Sequence, residues 1–214
     1  MKPLLWIEGI IGCGKTTFAR EIGERLNFQV IEEPVDDNPY LEVFYKDPKA
    51  HATMMQVYLL HRRYALQKAA ALVSLGVGRF EGAILDRSLS GDRVFARLHM
   101  EEGNISELDW KTYEMCYNIM CHTLLPPTRL IFLDVQPETA HKRMRTRNRG
   151  AESGVPLEYL QKLRAGYQRL LKEAERGLMP WGHAVKVTTL IWDPVNAMPD
   201  WDAVASTVMD ACRT

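Results

Sequence analysis

Leu4-Leu5-Trp6-Ile7-Glu8-Gly9-Ile10-Ile11-Gly12-Cys13-Gly14-Lys15-Thr16-Thr17 stands near the start of the chain and governs the reading of everything after it. Leu4 to Glu8 has the composition of a buried strand, and Lys15 to Leu26 carries a helical pattern. Between them Gly9 to Thr16 fits G-x-x-x-x-G-K-[ST], in the strand–loop–helix setting that gives this pattern its meaning. Glycines let backbone N–H groups turn inward around phosphate oxygens, and the helix N-terminus behind them adds partial positive charge. Phosphate contacts are expected from Gly9, Ile10, Ile11, Gly12, Cys13, Gly14, Lys15, Thr16 and Thr17. Lys15 is expected to reach the β- and γ-phosphates of ATP, and the Thr16 hydroxyl to bind Mg²⁺. The pattern alone fits a kinase, a GTPase, an ATPase motor or a switch. No NKxD-type guanine-reading segment follows, and 214 residues is short for a motor, which leaves a small-molecule kinase as the best fit.

Outward from this loop, short apolar runs alternate with long helical patterns. Strands are expected at Leu4 to Glu8, Phe28 to Glu32, Ala83 to Asp86, Arg129 to Val135 and Val185 to Trp192. Helices are expected at Lys15 to Leu26, Pro48 to Leu75, Leu89 to Met100, Ser106 to Leu124, Pro137 to Arg147, from Pro156 through Leu170, and Trp201 to Cys212. Gly76 and Gly78 close the long helix, and Pro126-Pro127 stops a later one. Strands separated by helices call for a parallel sheet covered on both faces, with ligands beyond the carboxyl ends of the strands. One α/β domain spanning 1–214 is the expectation.

Lys plus Arg and Asp plus Glu both number 27, so the formal net charge is zero. A nucleic-acid or membrane-surface partner usually leaves a basic excess, and none is expected here. No apolar run reaches the length of a membrane span, and the chain opens directly into a strand. The four cysteines, Cys13, Cys116, Cys121 and Cys212, make no disulfide framework. Cys116, Cys121 and His122 lack the second ligand pair that a zinc site needs. A cytoplasmic protein is the expectation.

Two further strand ends carry acids. Glu32-Glu33-Pro34 ends the second strand, where a carboxylate can take a proton from an attacking hydroxyl. Asp86-Arg87-Ser88 ends the third: Asp86 can hold Mg²⁺ through water, and Arg87 can clamp phosphate or Glu33.

With these segments in view the chain resembles the deoxynucleoside kinase family over nearly its whole length. The resemblance rests on GIIGCGKTT, EEPVDDNPYLEVFYKDP, MMQVYLLHRR, LDRSLSGDR and RMRTRNRGAESGVPLEYLQKL, in this order. It implies an α/β P-loop kinase fold: a five-stranded parallel sheet with helices on both faces and a short arginine-rich lid at about 143–155. It implies Glu33 as general base for a 5′-hydroxyl and Arg87 near the transferring phosphate. Asp86 stands where many members have Glu, so a metal-binding carboxylate is kept. Tyr45 and Glu152 match the pair on the sugar 3′-hydroxyl, and Gln56 matches the glutamine that reads the base edge. Arg63 lies seven residues after Gln56 and shares its helical face. Arg63 and Asp92 match the charged pair of members that take amino-bearing or purine bases, a pair that thymidine-accepting members typically lack. Arg143, Arg147 and Arg149 match the lid arginines. Ile191 to Asn196 lies where the family binds the donor adenine, with Pro194 a departure. A homodimer built on long central helices and feedback inhibition by a deoxynucleoside triphosphate are implied in the same way.

The expected reaction therefore moves phosphate from Mg-ATP to deoxyadenosine, deoxyguanosine or deoxycytidine rather than thymidine, in deoxynucleotide salvage. A nucleoside monophosphate kinase is the alternative, but Val35 to Asp47 is acidic where a phosphorylated acceptor wants arginines. A nucleotide-binding regulator without catalysis is a third reading, disfavoured by intact Lys15, Glu33 and Arg87.

Overall fold

The computed structural model describes residues 1–32, 38–147, 154–192 and 199–213, with the side chain of Arg147 excepted. Its sheet contains β1 (Leu4–Glu8), β2 (Phe28–Ile31), β3 (Gly82–Asp86), β4 (Arg129–Asp134) and β5 (Val187–Ile191). Every pairing is parallel, in the order β2-β3-β1-β4-β5. The chain moves outward from β1 to one edge and later to the other. The loops after β1, β3 and β2 therefore open side by side at one end of the sheet, where open α/β sheets bind their ligands.

All five residues of β1 are buried, as a strand covered on both faces requires. Leu4 and Trp6 pack with Ala70 and Val73 of the long helix α3 (Pro48–Ser74). Leu5 and Ile7 join the larger core with Phe18 and Ile22 of α1 (Lys15–Leu26) and with Trp201 and Val208 of α8 (Trp201–Arg213). The alternation is the period-2 geometry of a strand, here apolar in both directions. A separate cluster, away from the sheet, joins α3 to α4 (Leu89–Glu101) and α5 (Glu107–His122) through Leu60, Leu89, Ala96, Tyr113 and Tyr117. The remaining helices are α6 (Pro137–Arg147) and α7 (Leu157–Glu175).

The structure adds one helix that the sequence pattern does not show. α2 (Leu41–Lys46) has six residues, less than two turns, and ends at Asp47. Asp47 then starts α3: its carboxylate accepts from the backbone N–H of Ala50 at 3.1 Å, and Pro48 takes the first helical position. So short a segment has no periodicity to read; Phe44, buried against the α3–α5 cluster, holds it in place. β2 ends at Ile31, one residue before the expected bound, with the Glu32 side chain paired to Arg20, and β5 begins at Val187, two residues after the expected bound, with Val185 donating its N–H to the carbonyl of Ala174 in α7.

Candidate active site

The phosphate loop has the backbone its glycines imply. Gly12 and Gly14 lie at φ 78° and 97°. At Gly12 a Cβ would sit 2.6 Å from the Ala140 carbonyl and 2.7 Å from Met144 Cγ, so α6 leaves no room for a side chain. Lys15 is buried, and its ammonium donates to the carbonyls of Gly9 (3.1 Å) and Ile10 (3.0 Å). Ile10 and Cys13 are fully buried behind the loop, so they support it from within. Arg143 of α6 donates to the Cys13 carbonyl at 3.3 Å, which places this arginine on the loop.

Thr16 donates its hydroxyl to Asp86 Oδ2 at 2.5 Å, joining α1 to the end of β3. Asp86 is buried, and its Oδ1 makes no hydrogen bond. Two hard oxygen donors side by side, one carboxylate oxygen uncommitted, fit a Mg²⁺ ion, which favours few protein ligands plus water and phosphate oxygens.

Arg87 follows at φ 72°, a left-handed conformation rare for a side-chain-bearing residue. Its backbone N–H donates to Ile7 O at 3.1 Å. Ser88 accepts from Ser90 N and Gly91 N, capping α4. Ser88 also donates its own N–H and hydroxyl to Glu8 Oε1, at 2.8 and 2.5 Å. Glu8 is fully buried; burial raises its pKa, and the nearby Arg87 charge offsets part of that rise. Gly91 faces this carboxylate so closely that a Cβ would collide with it. Glu8 was not among the residues expected in the site. The signal was available: a charged residue ending an otherwise apolar strand of a two-sided sheet.

Gln56 and Arg63, the residues expected to face a base, lie buried on α3. Gln56 is 1% exposed, and neither its amide nitrogen nor its oxygen has a hydrogen-bond partner. A buried amide costs on the order of 1–3 kcal/mol unless something pairs with it, so a polar ligand edge is the natural partner. Arg63 forms an ion pair with Asp92 of α4, both buried, and Tyr113 donates to Asp92 Oδ2 at 3.1 Å. Tyr45 lies on α2, beside Phe44.

A single cavity of about 710 Å³ connects the two groups. Its walls include Gly12, Gly14, Lys15, Thr16, Thr17, Ile11, Asp86, Arg87 and Arg143 at one end, and Tyr45, Gln56, Arg63 and Asp92 at the other. Sequence positions from 11 to 143 thus meet in one space. Glu33, Arg149 and Glu152 lie outside the described residues, as does the side chain of Arg147 and the stretch 193–196.

His99 of α4 also lines the cavity, packed on Phe44 and Tyr159. Its Nδ1 has no hydrogen-bond partner, and burial pushes its pKa down to about 4. The folded protein thus resists a proton that the unfolded chain binds near its ordinary value of about 6.5. Stability from this group is complete above the unfolded value and is lost as pH falls toward 4. Chemical denaturation should show about 2 kcal/mol less stability at pH 5 than at pH 7 from this source. His99→Gln should flatten that slope; an unchanged slope would assign it to other groups.

The family model described as deoxynucleoside kinase matches residues 5–213. The chain belongs to the deoxynucleoside kinase family. It is 38% identical over 170 residues to a deoxyadenosine kinase of Dictyostelium discoideum, covering 79% of this chain and 67% of that one. To a deoxyguanosine kinase of the same organism it is 37% identical over 170 residues, covering 79% and 59%. The chain thus spans about two thirds or less of the length of these relatives. Among solved structures, a deoxyadenosine kinase from M. mycoides with products dCMP and a flexible dCDP bound superposes with a TM-score of 0.78 at 28% identity, over 98% of each chain. The same kinase with bound dATP gives a TM-score of 0.76 at 28% identity, over 98% of this chain and 99% of that one. The architecture is the α/β P-loop kinase fold of a family of ATP-dependent phosphotransferases. No helix among the described residues is long and apolar enough to cross a membrane.

Proposed function

We propose that this family member transfers the γ-phosphate of Mg-ATP to the 5′-hydroxyl of deoxyadenosine, deoxyguanosine or deoxycytidine rather than thymidine. The observation that carries the reading is the continuity of the cavity from Lys15, Thr16 and Asp86 to Gln56, Arg63 and Asp92. A donor phosphate at one end and a base at the other would hold the reacting groups between them, which is most of what phosphoryl transfer asks of a protein.

Thr16 and Asp86 would hold Mg²⁺, whose chemistry is to neutralise charge on the phosphates. Lys15, Arg87 and Arg143 would bind the phosphate oxygens. Glu33 would take the proton of the 5′-hydroxyl, Tyr45 and Glu152 would hold the 3′-hydroxyl, and Arg147 and Arg149 would close over the phosphates. The Asp92 carboxylate, anchored by Arg63 and Tyr113, would accept from an exocyclic amine, while Gln56 pairs with the base edge. Thymine has no exocyclic amine.

Feedback by a deoxynucleoside triphosphate is supported by the same continuity: one such molecule would reach from the base end of the cavity to the phosphate loop, and the M. mycoides kinase has been solved with bound dATP. A homodimer is supported by an apolar outer surface: Met54 and Val57 on α3, and Leu108, Met115 and Ile119 on α5, are all exposed. Sedimentation at micromolar concentration reads one mass or two. A salvage role, in the cytoplasm, belongs to the same proposal: free deoxynucleosides are what such a kinase would return to the nucleotide pool.

The test is steady-state ADP release with Mg-ATP and each deoxynucleoside in turn. Turnover is expected with at least one of the three named acceptors, and weak turnover with thymidine and ribonucleosides. Turnover confined to deoxynucleoside monophosphates would move the protein to the monophosphate kinases and remove the roles given to Gln56, Arg63 and Asp92.

A further inference from the structure

Arg87 occupies a backbone conformation that an ordinary residue keeps only when its surroundings impose it. On the backbone side, Ile7 and the Glu8–Ser88 bonds impose it. On the side-chain side, Nη1 donates to the Tyr167 hydroxyl at 2.5 Å, and the guanidinium carbon lies 4.6 Å from the centroid of the Phe95 ring. Arg87 lines the cavity; Tyr167 does not. The phenol, fully buried on α7, touches the arginine from behind.

We propose that Tyr167 is a positioning residue for phosphoryl transfer: its hydroxyl fixes the rotamer of Arg87 so that the guanidinium meets the transferring phosphate already oriented. The inference rests on the kinase reading for the role of Arg87, while the contact that carries it is independent of that reading.

Two chemical points favour orientation over packing. First, the hydroxyl is a costly group to bury, and phenylalanine would fill the same volume without it. Second, the acceptor is neutral. Burial raises the Tyr167 pKa well above its ordinary value, so the phenol stays protonated. A carboxylate in its place would orient the guanidinium equally well, but would cancel the charge that the phosphate needs. A neutral oxygen restricts the arginine and leaves its charge available.

The experiment compares the parent, Tyr167→Phe, Arg87→Lys and the double variant. For each, kcat, the acceptor KM, ATP affinity and the thermal midpoint are measured. Side-chain ¹⁵N spectra of arginine accompany them, with Arg87→Lys assigning the Arg87 signal. Tyr167→Phe is expected to lower kcat by about 10- to 100-fold, the range to which loss of one hydrogen bond to a charged group converts. ATP affinity should stay within about threefold, and the Arg87 Nη signals should average through faster rotation. In the Arg87→Lys background the same change should cost less than about twofold, because the group it orients is gone. An equal loss in both backgrounds would make Tyr167 a packing residue, and an unchanged Arg87 signal would overturn the proposal without reference to activity. If Arg87→Lys leaves kcat at the parent value, the kinase role of Arg87 is lost and the proposal with it. If no acceptor turns over but the Arg87 signal still depends on Tyr167, the failure belongs to the kinase reading and the contact survives.

Discussion

Glu33→Gln should leave ATP binding close to that of the parent while lowering kcat by about 10²–10⁴, the usual worth of a general base. A 5′-hydroxyl is a weak nucleophile, and its proton must leave as the bond to phosphorus forms. Glutamine keeps the size and polarity of the side chain and loses the ability to accept that proton. The phosphate loop is untouched: Lys15 remains on the Gly9 and Ile10 carbonyls and Thr16 on Asp86. Binding and chemistry should therefore separate. The residue just before it has its own anchor, since Glu32 takes two hydrogen bonds from Arg20, at 2.5 and 2.6 Å. Isothermal titration with ATP and single-turnover transfer to a deoxynucleoside provide the two readouts. Equal turnover in parent and variant would take Glu33 out of the mechanism.

The second large effect concerns Arg63 and Asp92. Arg63→Met alone should destabilise the protein by about 3–5 kcal/mol, because it removes the cation from a fully buried carboxylate and leaves the Tyr113 hydroxyl as its side-chain partner among the described residues. In a domain of this size that corresponds to a thermal midpoint lower by roughly 6–20 °C. Adding Asp92→Ala should recover most of that loss, since buried ion pairs replaced as a pair are often neutral. If Asp92 selects an exocyclic amine as proposed, the double variant should also gain thymidine turnover relative to the parent. Recovered stability with unchanged acceptor preference would mean that the pair only joins α3 to α4. A stable single variant would mean that Asp92 takes up a proton and tolerates the loss.

The two halves of the site were legible in the sequence to different degrees. The phosphate loop is local: strand, glycines, lysine and helix lie within 23 consecutive residues from Leu4 to Leu26, and the structure reproduces those bounds. Gln56 and Arg63 were singled out by the family resemblance, their seven-residue spacing puts them on one helical face, and both are buried on α3. α2 was not, because six residues held by one buried phenylalanine leave no repeating pattern. The supports of Arg87 were not legible for another reason. Glu8 is 80 residues from Ser88, and Tyr167 is 80 residues from Arg87. No spacing rule reaches that far; only the pairing of β3 with β1 and the packing of α7 over α4 bring these residues into contact.

The fit of Gly91 against the Glu8 carboxylate has an evolutionary consequence. Position 91 cannot acquire a side chain while position 8 keeps its carboxylate in place. Shortening Glu8 to aspartate would make room, but would draw the acceptor away from Ser88. Two sites 83 residues apart are thereby linked in one direction: a side chain at position 91 requires the position 8 carboxylate to move off Ser88, so descendants with a larger residue at 91 should be found to have changed position 8 as well.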